Sequence, residues 1–369
     1  MDNNSQDSVL VDVVVAVHTP DRPIERTVAS LMASGLPTDA GAAGRLRVTV
    51  VCHNTDVEPI RARVAPGHRN LVRFVAYADG IKSPAGPFNH GLSLATGTWV
   101  SIMGSDDSLE PDALARWVEA AGRDGADVLI APMAHAGGAA IHTPVVRRTR
   151  TAALDPVADR LTYRTAPLGI MRLQLVRSLG LDFPTRYVTG EDQSFSAKLW
   201  FSGASVSYGR GLPRYLVHDD AAVRVTATPR PVAEDLAFAT DLVESDWFAG
   251  LAPAQRASIV TKLIRVHLFG HVLLRAEAGT WGAADAAEMA AAARTLLFAA
   301  PTAARPLSVA DRALLDAVTR READSVEMKS LATLRRTFTN PRTWLPRDAT
   351  QLLHPEAPLR FMSASALVS

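Results

Sequence analysis

The chain has 369 residues but only one cysteine, Cys52, so no intramolecular disulfide and no zinc site built from cysteines is possible. It also lacks an excess of either charge: 39 basic and 38 acidic residues give a formal net charge of +1, which gives no support for a nucleic-acid partner. We find no apolar run near the roughly 18 residues of a membrane-spanning helix and no signal-peptide core at the polar N-terminus. These absences predict a soluble, intracellular (cytoplasmic) protein. Cys52 follows the apolar residues 48–51, which predicts a buried thiol.

Glycine is missing from the loop after the first apolar run. Residues 18–23 read His-Thr-Pro-Asp-Arg-Pro. A dinucleotide-binding dehydrogenase is expected to have a Gly-x-Gly-x-x-Gly turn at this point, so the sequence argues against that class. A nucleotidyltransferase is expected to carry a glycine-rich, basic loop here, and the sequence argues against that class too.

Apolar runs and helical patterns alternate along the first part of the chain. Strands are predicted at residues 9–17, 47–52, 71–76, 99–103, 127–132, 204–209 and 214–218. Helices are predicted at residues 24–34, 58–64, 89–96, 112–125, 167–180 and 190–203. The valine-rich first run is typical of a strand that is buried on both faces. This alternation predicts an α/β fold with a doubly wound, mostly parallel sheet and right-handed crossovers.

Helical patterns dominate beyond Pro231. We therefore predict a domain at residues 1–230 and a mainly α-helical C-terminal region at residues 231–369. His267 and His271 are four residues apart, as in some metalloprotease motifs, but no glutamate follows the first histidine, so we interpret this segment as a packing helix. The sequence leaves open whether the helical region packs on the first domain, binds an acceptor or self-associates.

The most informative stretch combines a buried strand, at residues 99–103, with two adjacent carboxylates, Asp106 and Asp107. Pro111 then opens a helical pattern. Open α/β sheets bind ligands at the carboxyl ends of their strands, and adjacent carboxylates there could bind a hard divalent cation beside a diphosphate. The alternative is that both aspartates only cap the following helix.

Four segments, in this order and spacing, resemble the GT-A glycosyltransferases of family 2. They are residues 11–23, 89–91 (Asn-His-Gly), 104–107 (Gly-Ser-Asp-Asp) and 190–195 (Gly-Glu-Asp-Gln-Ser-Phe). Residues 179–184 also resemble the bacterial members that decorate surface polymers such as teichoic acids. The resemblance implies a GT-A, Rossmann-like fold and transfer of a sugar from a nucleotide diphosphate sugar.

Residue by residue, the resemblance implies three sets of functional side chains. Asp192 would be the general base, and Glu191 would orient the acceptor or the base. Asp106, Asp107 and His218 would bind Mn²⁺ or Mg²⁺. The nucleotide-sugar would contact His18, Thr19, Asp21, Arg22, Asn54, Asn89, Ser105, Asp106 and Arg224. Asn89 would either bind the donor sugar or hold its loop, and we expect the start of a helix to favour the ionised form of Asp192.

The sequence departs from the family pattern at three positions. Gly104 replaces the first aspartate of the acidic motif, Asn54 lies near the position of a uracil-binding aspartate, and Phe88 replaces a basic residue before Asn89.

The sequence thus predicts an inverting, metal-dependent glycosyltransferase that uses a nucleotide diphosphate sugar, with UDP favoured, and a glycan or polyol-phosphate polymer as acceptor. Association with the inner membrane face and self-association are further expectations. The alternatives are a non-catalytic nucleotide-sugar or glycan binding protein with a degraded site, and a nucleotidyltransferase.

Overall fold

The structure is a computed structural model that describes residues 9–38, 45–218 and 230–368. Arg224, one of the predicted donor-binding residues, lies outside these ranges. The strands are β1 (Val11–Val17), β2 (Leu46–His53), β3 (Val72–Tyr77), β4 (Trp99–Gly104), β5 (Ser108–Leu109), β6 (Val128–Ile130), β7 (Met133–His135), β8 (Ala140–Ile141), β9 (Gly169–Arg172), β10 (Val206–Tyr208) and β11 (Tyr215–Val217).

The α-helices of the first 200 residues alternate with these strands. They are α1 (Ile24–Met32), α2 (Val57–Arg63), α3 (Pro66–Arg69), α4 (Ala85–Leu94), α5 (Ala113–Asp124), α6 (Leu173–Ser178) and α7 (Glu191–Trp200). Those of the C-terminal region are α8 (Val232–Asp235), α9 (Ala237–Glu244), α10 (Asp246–Ala249), α11 (Pro253–Lys262), α12 (Phe269–Ala278), α13 (Ala283–Ala299), α14 (Val309–Thr319), α15 (Ser325–Leu334) and α16 (Pro358–Val368). A π-helix, Leu263–Leu268, joins α11 to α12.

Seven strands form the main sheet in the order β10-β6-β9-β4-β1-β2-β3. All neighbours are parallel except at β9, which is antiparallel to both β4 and β6. A smaller sheet has the order β5-β11-β7-β8. The predicted doubly wound, mostly parallel sheet is confirmed, and so is the helical character of the C-terminal region.

The sequence analysis was wrong at residues 167–180, where it predicted one helix. The structure has β9 followed by α6. Because β9 contains only four residues, its apolar side chains fit helical and strand spacing equally well, and only its pairing between β4 and β6 decides.

Strand β1 is buried on both faces, as its valine run predicts. Val13 and Val15 belong to the core on one side of the sheet and Val14 to the core on the other. Cys52, at the end of the neighbouring strand, is fully buried, and burial raises the pKa of its thiol to about 11. The prediction of a buried thiol is therefore confirmed.

The helical region is built on a core of its own, and that core also includes Tyr187 and Ala197 of the first 200 residues. Within the described residues, one helix, Pro253–Ala278, is long and apolar enough to cross a membrane, with a mean hydropathy of 1.4 over its most apolar stretch. About 67% of that stretch is buried inside the protein, as in the core helix of a helical bundle.

Asp12 is the one charged residue of β1, and it is only 2% exposed. Arg47 donates two hydrogen bonds to its carboxylate, at 2.6 and 2.9 Å, and the backbone N–H groups of Thr96 and Gly97 donate two more, at 2.8 and 2.6 Å. Asp12 thereby joins β1 and β2 to the turn that precedes β4. The carboxylate thus satisfies backbone groups that would otherwise be buried without partners.

We expect Asp12→Ala to lower the free energy of unfolding by about 3 kcal/mol, because it leaves a cation and two backbone N–H groups without their acceptor. Chemical denaturation measures the change. Glu58→Ala is the control, since Glu58 is 82% exposed and its oxygen lies 4.0 Å from Arg61; its stability should equal that of the wild type. Equal stability of both variants would contradict a structural role for Asp12.

Candidate active site

The acidic turn lies between β4 and β5, at the carboxyl end of β4. The capping alternative for its two aspartates is wrong, because β5 intervenes and the residue that precedes α5 is Asp112. Strand β4 lies beside β1 in the sheet, so the turn faces the loop that follows β1. This is the position at which parallel α/β sheets bind their ligands.

Asp107 is held by the second sheet. The hydroxyl of Tyr215 donates to Oδ2 of Asp107 at 2.6 Å and accepts a bond from the backbone N–H of Gly104 at 3.1 Å. The backbone N–H of His218 donates to the other carboxylate oxygen at 3.2 Å. Burial, and then the charge of Asp106, raise the pKa of Asp107, while the Tyr215 bond acts in the opposite direction. Tyr215 was not identified from the sequence, since nothing local marks it.

Asp106 is held by the β1–α1 segment. Its carboxylate forms an ion pair with Arg22, and its side chain is 21% exposed. Arg26 donates to the backbone carbonyl of Asp106, and Thr27 donates to that of Asp107 at 2.8 Å. Two predicted residues, Arg22 after β1 and Asp106 after β4, are therefore in contact.

The other predicted residues of the first loop surround this pair. His18 is exposed, and the pKa of its imidazole is lowered by partial burial, then by Arg22 and His53. The hydroxyl of Thr19 donates to Asp21 at 3.0 Å within the loop itself. Ser105 is buried in the acidic turn.

Gly104 lies directly beneath the two carboxylates. A Cβ atom at this position would come within 2.8 Å of Oδ2 of Asp107 and 3.1 Å of Oδ1 of Asp106. The family's usual aspartate therefore has no room here in the present arrangement of the turn. The missing carboxylate reflects close packing of the acidic turn against Tyr215.

We expect Gly104→Ala to destabilise the protein by about 1–3 kcal/mol, since the added methyl group must displace the Asp107 carboxylate. Gly122→Ala is the matched control: Gly122 lies in α5, its Cβ would meet nothing within 4 Å, and alanine favours the helix by up to about 1 kcal/mol. Denaturation curves of both variants give the comparison. A Gly104→Ala protein as stable as the wild type would show that the turn has room for a side chain.

Two predicted donor-binding asparagines make structural bonds. The side chain of Asn54 accepts from the backbone N–H groups of Asp79 and Gly80 at 3.1 and 3.0 Å and donates to the carbonyl of Ile81 at 3.2 Å. Asn89 exchanges two bonds of 2.8 Å with the backbone of Phe183. For Asn89 this favours the second of the predicted roles, that of holding a loop.

Asp79 was missed by the sequence analysis. Its carboxylate pairs with His53 at 2.8 Å, at the carboxyl edge of β2 and β3. The hydrogen bond from His53 lowers the pKa of Asp79 against the effect of its burial. The apolar run before His53 predicted the strand but not this partner, which lies 26 residues further along the chain.

Of the predicted metal ligands, His218 contacts Asp107 through its backbone N–H, while its imidazole hydrogen-bonds to Ser108 at 2.8 Å. In the described ranges, no group of three or more His, Cys, Asp or Glu side chains is arranged to hold a metal ion. One or two carboxylates are nevertheless what Mg²⁺ or Mn²⁺ needs when phosphate oxygens and water supply the remaining ligands. The partly exposed carboxylate of Asp106 fits such an ion.

A cavity of about 590 Å³ contains the second set of predicted residues, Glu191 and Asp192. Both lie in the first turn of α7, which follows Gly190 in the left-handed region, at φ 81°. A Cβ at Gly190 would come within 2.3 Å of the Phe238 ring, so both the positive φ and this close approach require glycine. Pro84, from the segment after β3, also lines this cavity, so it opens toward the carboxyl edge of the sheet.

The electrostatics of this pair differ from our expectation. Burial, and then the neighbouring charge of Asp192, raise the pKa of Glu191 to about 7. Burial also raises the pKa of Asp192, although Lys262 and Gln193 act in the opposite direction. Desolvation therefore outweighs the helix dipole, and the pair can hold a proton near neutral pH.

The C-terminal helices form the far wall of the cavity. They contribute Asp235, Phe238, His267 and His271, and Arg230, just before α8, lines the cavity as well. The two histidines do lie on a mostly buried helix, as the packing interpretation requires, but they also face the cavity of Asp192. No local pattern indicates this, because the two histidines are far from Asp192 along the chain.

Residues 147–150 read Arg-Arg-Thr-Arg and form a basic cluster, of which one arginine is held by an ion pair and two are exposed. Arg147 forms an ion pair with the fully buried Asp159 at 2.7 Å, whereas Arg148 and Arg150 are exposed. Arg147 therefore serves the fold.

Residues 68–178 match the sequence model of the family described as "Glycosyl transferase family 2". This segment contains the acidic turn and Asn89, so the resemblance inferred from the motifs is confirmed there. Residues 190–195 lie beyond the matched segment.

Two curated proteins share similar segments with the chain. A poly(ribitol-phosphate) beta-glucosyltransferase of Bacillus spizizenii is 18% identical over 184 residues, which is 50% of this chain and 29% of that protein. The succinoglycan biosynthesis protein ExoO of Rhizobium meliloti is 31% identical over 120 residues, 32% of each chain. The matches thus span less than a third of the length of either relative.

Among solved structures, residues 1–349 of TarS from S. aureus, in complex with UDP-GlcNAc, superpose with a TM-score of 0.71 at 16% identity, covering 89% of this chain and 92% of that one. A longer TarS structure gives a TM-score of 0.67 at 18% identity, covering 87% of this chain and 55% of that one. The likeness at this identity concerns the fold, and it extends through the helical region. The predicted GT-A fold is confirmed.

Proposed function

Because the chain carries a segment of glycosyltransferase family 2, we propose that it transfers a sugar from a UDP-sugar to a hydroxyl group of a cell-surface polymer, with inversion at the sugar carbon. The observation that carries the proposal is the half-buried pair Glu191–Asp192 at the start of α7, which lines a cavity of about 590 Å³. A carboxylate with a raised pKa inside a cavity suits the transfer of a proton near neutral pH.

The donor would bind at the carboxyl edge of β1 and β4. The diphosphate gains negative charge as it leaves, and two cations, Arg22 and Arg26, contact the acidic turn. Asp106 would hold a divalent ion, which supplies positive charge to the diphosphate when bound. Tyr215 and the backbone of His218 fix Asp107 and so keep the turn in one conformation.

The acceptor would enter the cavity from the side of the helical region. Asp192 removes the proton from the acceptor hydroxyl while the hydroxyl oxygen forms a bond to the anomeric carbon of the donor sugar. The bond from that carbon to the diphosphate oxygen breaks, and its electron pair leaves with the diphosphate. Attack from the face opposite the leaving group inverts the configuration. Glu191 lies beside the base; burial, and then the charge of Asp192, raise the pKa of Glu191 to about 7, so the two groups can share a proton.

The polymer class of the acceptor is supported by the names of the similar proteins, one of which is a poly(ribitol-phosphate) glucosyltransferase. Arg230 and His271 also line this cavity. We place the reaction in the cytoplasm, at the inner face of the membrane, where such polymers are accessible to a nucleotide-sugar enzyme. Self-association through the helical region remains part of this proposal.

We expect Asp192→Asn to lower kcat by about 10²–10⁴-fold, because the amide cannot accept the proton. The measurement is UDP release from UDP-sugars in the presence of a polyol-phosphate polymer. Asp182→Asn, at an exposed carboxylate ten residues earlier, is the control and should keep the wild-type rate. Wild-type turnover by Asp192→Asn would remove Asp192 from the mechanism.

We also expect UDP with Mn²⁺ to raise the melting temperature by a few degrees, since a ligand at a hundred times its Kd adds about 2.7 kcal/mol to the stability. Chelation with EDTA, or Asp106→Asn, should remove most of the shift, whereas GDP and CDP should give little. A shift of equal size in EDTA would argue that the diphosphate is held by cationic side chains without a metal.

One observation favours a second function, that of a nucleotide-sugar binding protein without turnover. Gly104 deprives the acidic motif of one carboxylate. A protein of that kind would give the UDP-dependent shift in melting temperature but no UDP release with any acceptor. The two measurements together therefore distinguish the enzyme from the binding protein.

A further inference from the structure

Lys262, the last residue of α11, has an ammonium group in the protein interior. The residue is only 2% exposed. Its Nζ donates one hydrogen bond to Oε1 of Gln193 and another to Nε2 of His267, at 2.9 Å. Neither partner carries a negative charge. A buried cation is costly unless an opposite charge compensates it, so its position requires an explanation.

In the described part of the chain, Lys262 forms no ion pair within 4.0 Å. Its compensating charge is Asp192, on the far side of Gln193. The attraction between the two groups opposes the effect of burial on each of them. Burial still raises the pKa of Asp192 and lowers that of Lys262 to about 7. The ammonium thus lies where it acts on one carboxylate, that of the proposed base.

The hydrogen bonds fix the orientation of each group in turn. An ammonium can only donate, so Gln193 must present its carbonyl oxygen to Lys262. The amide nitrogen of Gln193 therefore faces Asp192, and it donates to Oδ1 at 3.0 Å. His267 must accept through Nε2, which requires a neutral imidazole, and burial together with Lys262 lowers its pKa well below the ordinary value.

We propose that Lys262 is a positioning residue for the transfer reaction: through Gln193 it orients the carboxylate of Asp192 and supplies the positive charge that keeps this carboxylate ionised. The inference rests on the proposed function, since it assigns Lys262 to the base of that reaction. It also gives the helical region a part in the chemistry, because Lys262 belongs to that region and Asp192 does not.

The other charged and titratable groups around the cavity were compared with Lys262 for their effect on the charge of Asp192. Glu191, on α7 itself, has a pKa that burial, and then the charge of Asp192, raise to about 7. From the long helix, His267 and His271 face the cavity, and both have lowered pKa values. Arg230 and Asp235 form an ion pair at 2.7 Å, so their charges largely cancel. Lys262 is thus the cation that dominates at Asp192.

The test is the pH dependence of UDP release by Lys262→Met, which has nearly the same shape without the charge. Loss of the cation should raise the pKa of Asp192, so the acidic limb of kcat should move up by about one pH unit and kcat at pH 7 should fall about tenfold. KM for the donor should not change. Lys262→Arg should return the acidic limb of kcat to its wild-type position. Lys329→Met, at an exposed lysine of α15, should have the wild-type pH profile.

Melting curves show whether each variant is folded, and Lys262→Met should melt no earlier than the wild type, because it removes a buried charge. Gln193→Leu, which breaks the bridge but keeps the lysine, should shift the limb in the same direction. A folded Lys262→Met protein with the wild-type pH profile, or one that only loses stability, would overturn the inference. If the wild type itself released no UDP, the proposed function would fail instead.

Discussion

The hydroxyl of Tyr215 holds the acidic turn in place, and much of the candidate site depends on this one group. It accepts from the backbone of Gly104 and donates to Asp107, so it links the end of β4 in the main sheet to β11 in the small sheet. Burial and the negative charge of Asp107 raise the pKa of this phenol well above its ordinary value, so it remains a donor at any physiological pH. It thereby holds the Asp107 carboxylate, whose Oδ2 would lie 2.8 Å from a Cβ atom at residue 104.

Helix α7 has a comparable role at the other side of the site. Phe195 and Leu199 belong to the core beneath the sheet, while Ala197 belongs to the core of the helical region. The first turn of the same helix carries Glu191 and Asp192. The carboxylates are therefore placed by two cores at once, and a shift of the helical region relative to the sheet would displace them.

The fold could be predicted from the sequence because its signals are local. The valine run of β1 and the strand before Asp106 needed only the residues beside them. Asp106 was identified for the same reason, since it closely follows β4, whereas Arg22 was named through the family resemblance. Strand β9 was missed, because four residues do not establish a period.

Tyr215, Asp79 and Lys262 could not be predicted, because each acts through a residue far away in the chain. Tyr215 is 108 residues from Asp107, and Lys262 is 69 from Gln193. The raised pKa of Asp192 was missed for a related reason: the start of a helix is visible in a sequence, whereas the burial that opposes its dipole depends on helices that come later.

The π-helix at Leu263–Leu268 determines which side chains of the long helix share a face. Residues five apart lie about 140° apart around an ordinary α-helix and cannot touch one another. Lys262 and His267 are five apart and hydrogen-bonded, which the wider turn allows. The loss of one residue from this turn would leave a regular helix, and the lysine and the histidine would point in different directions. The cavity thus depends on the number of residues in a single helical turn as much as on their identity.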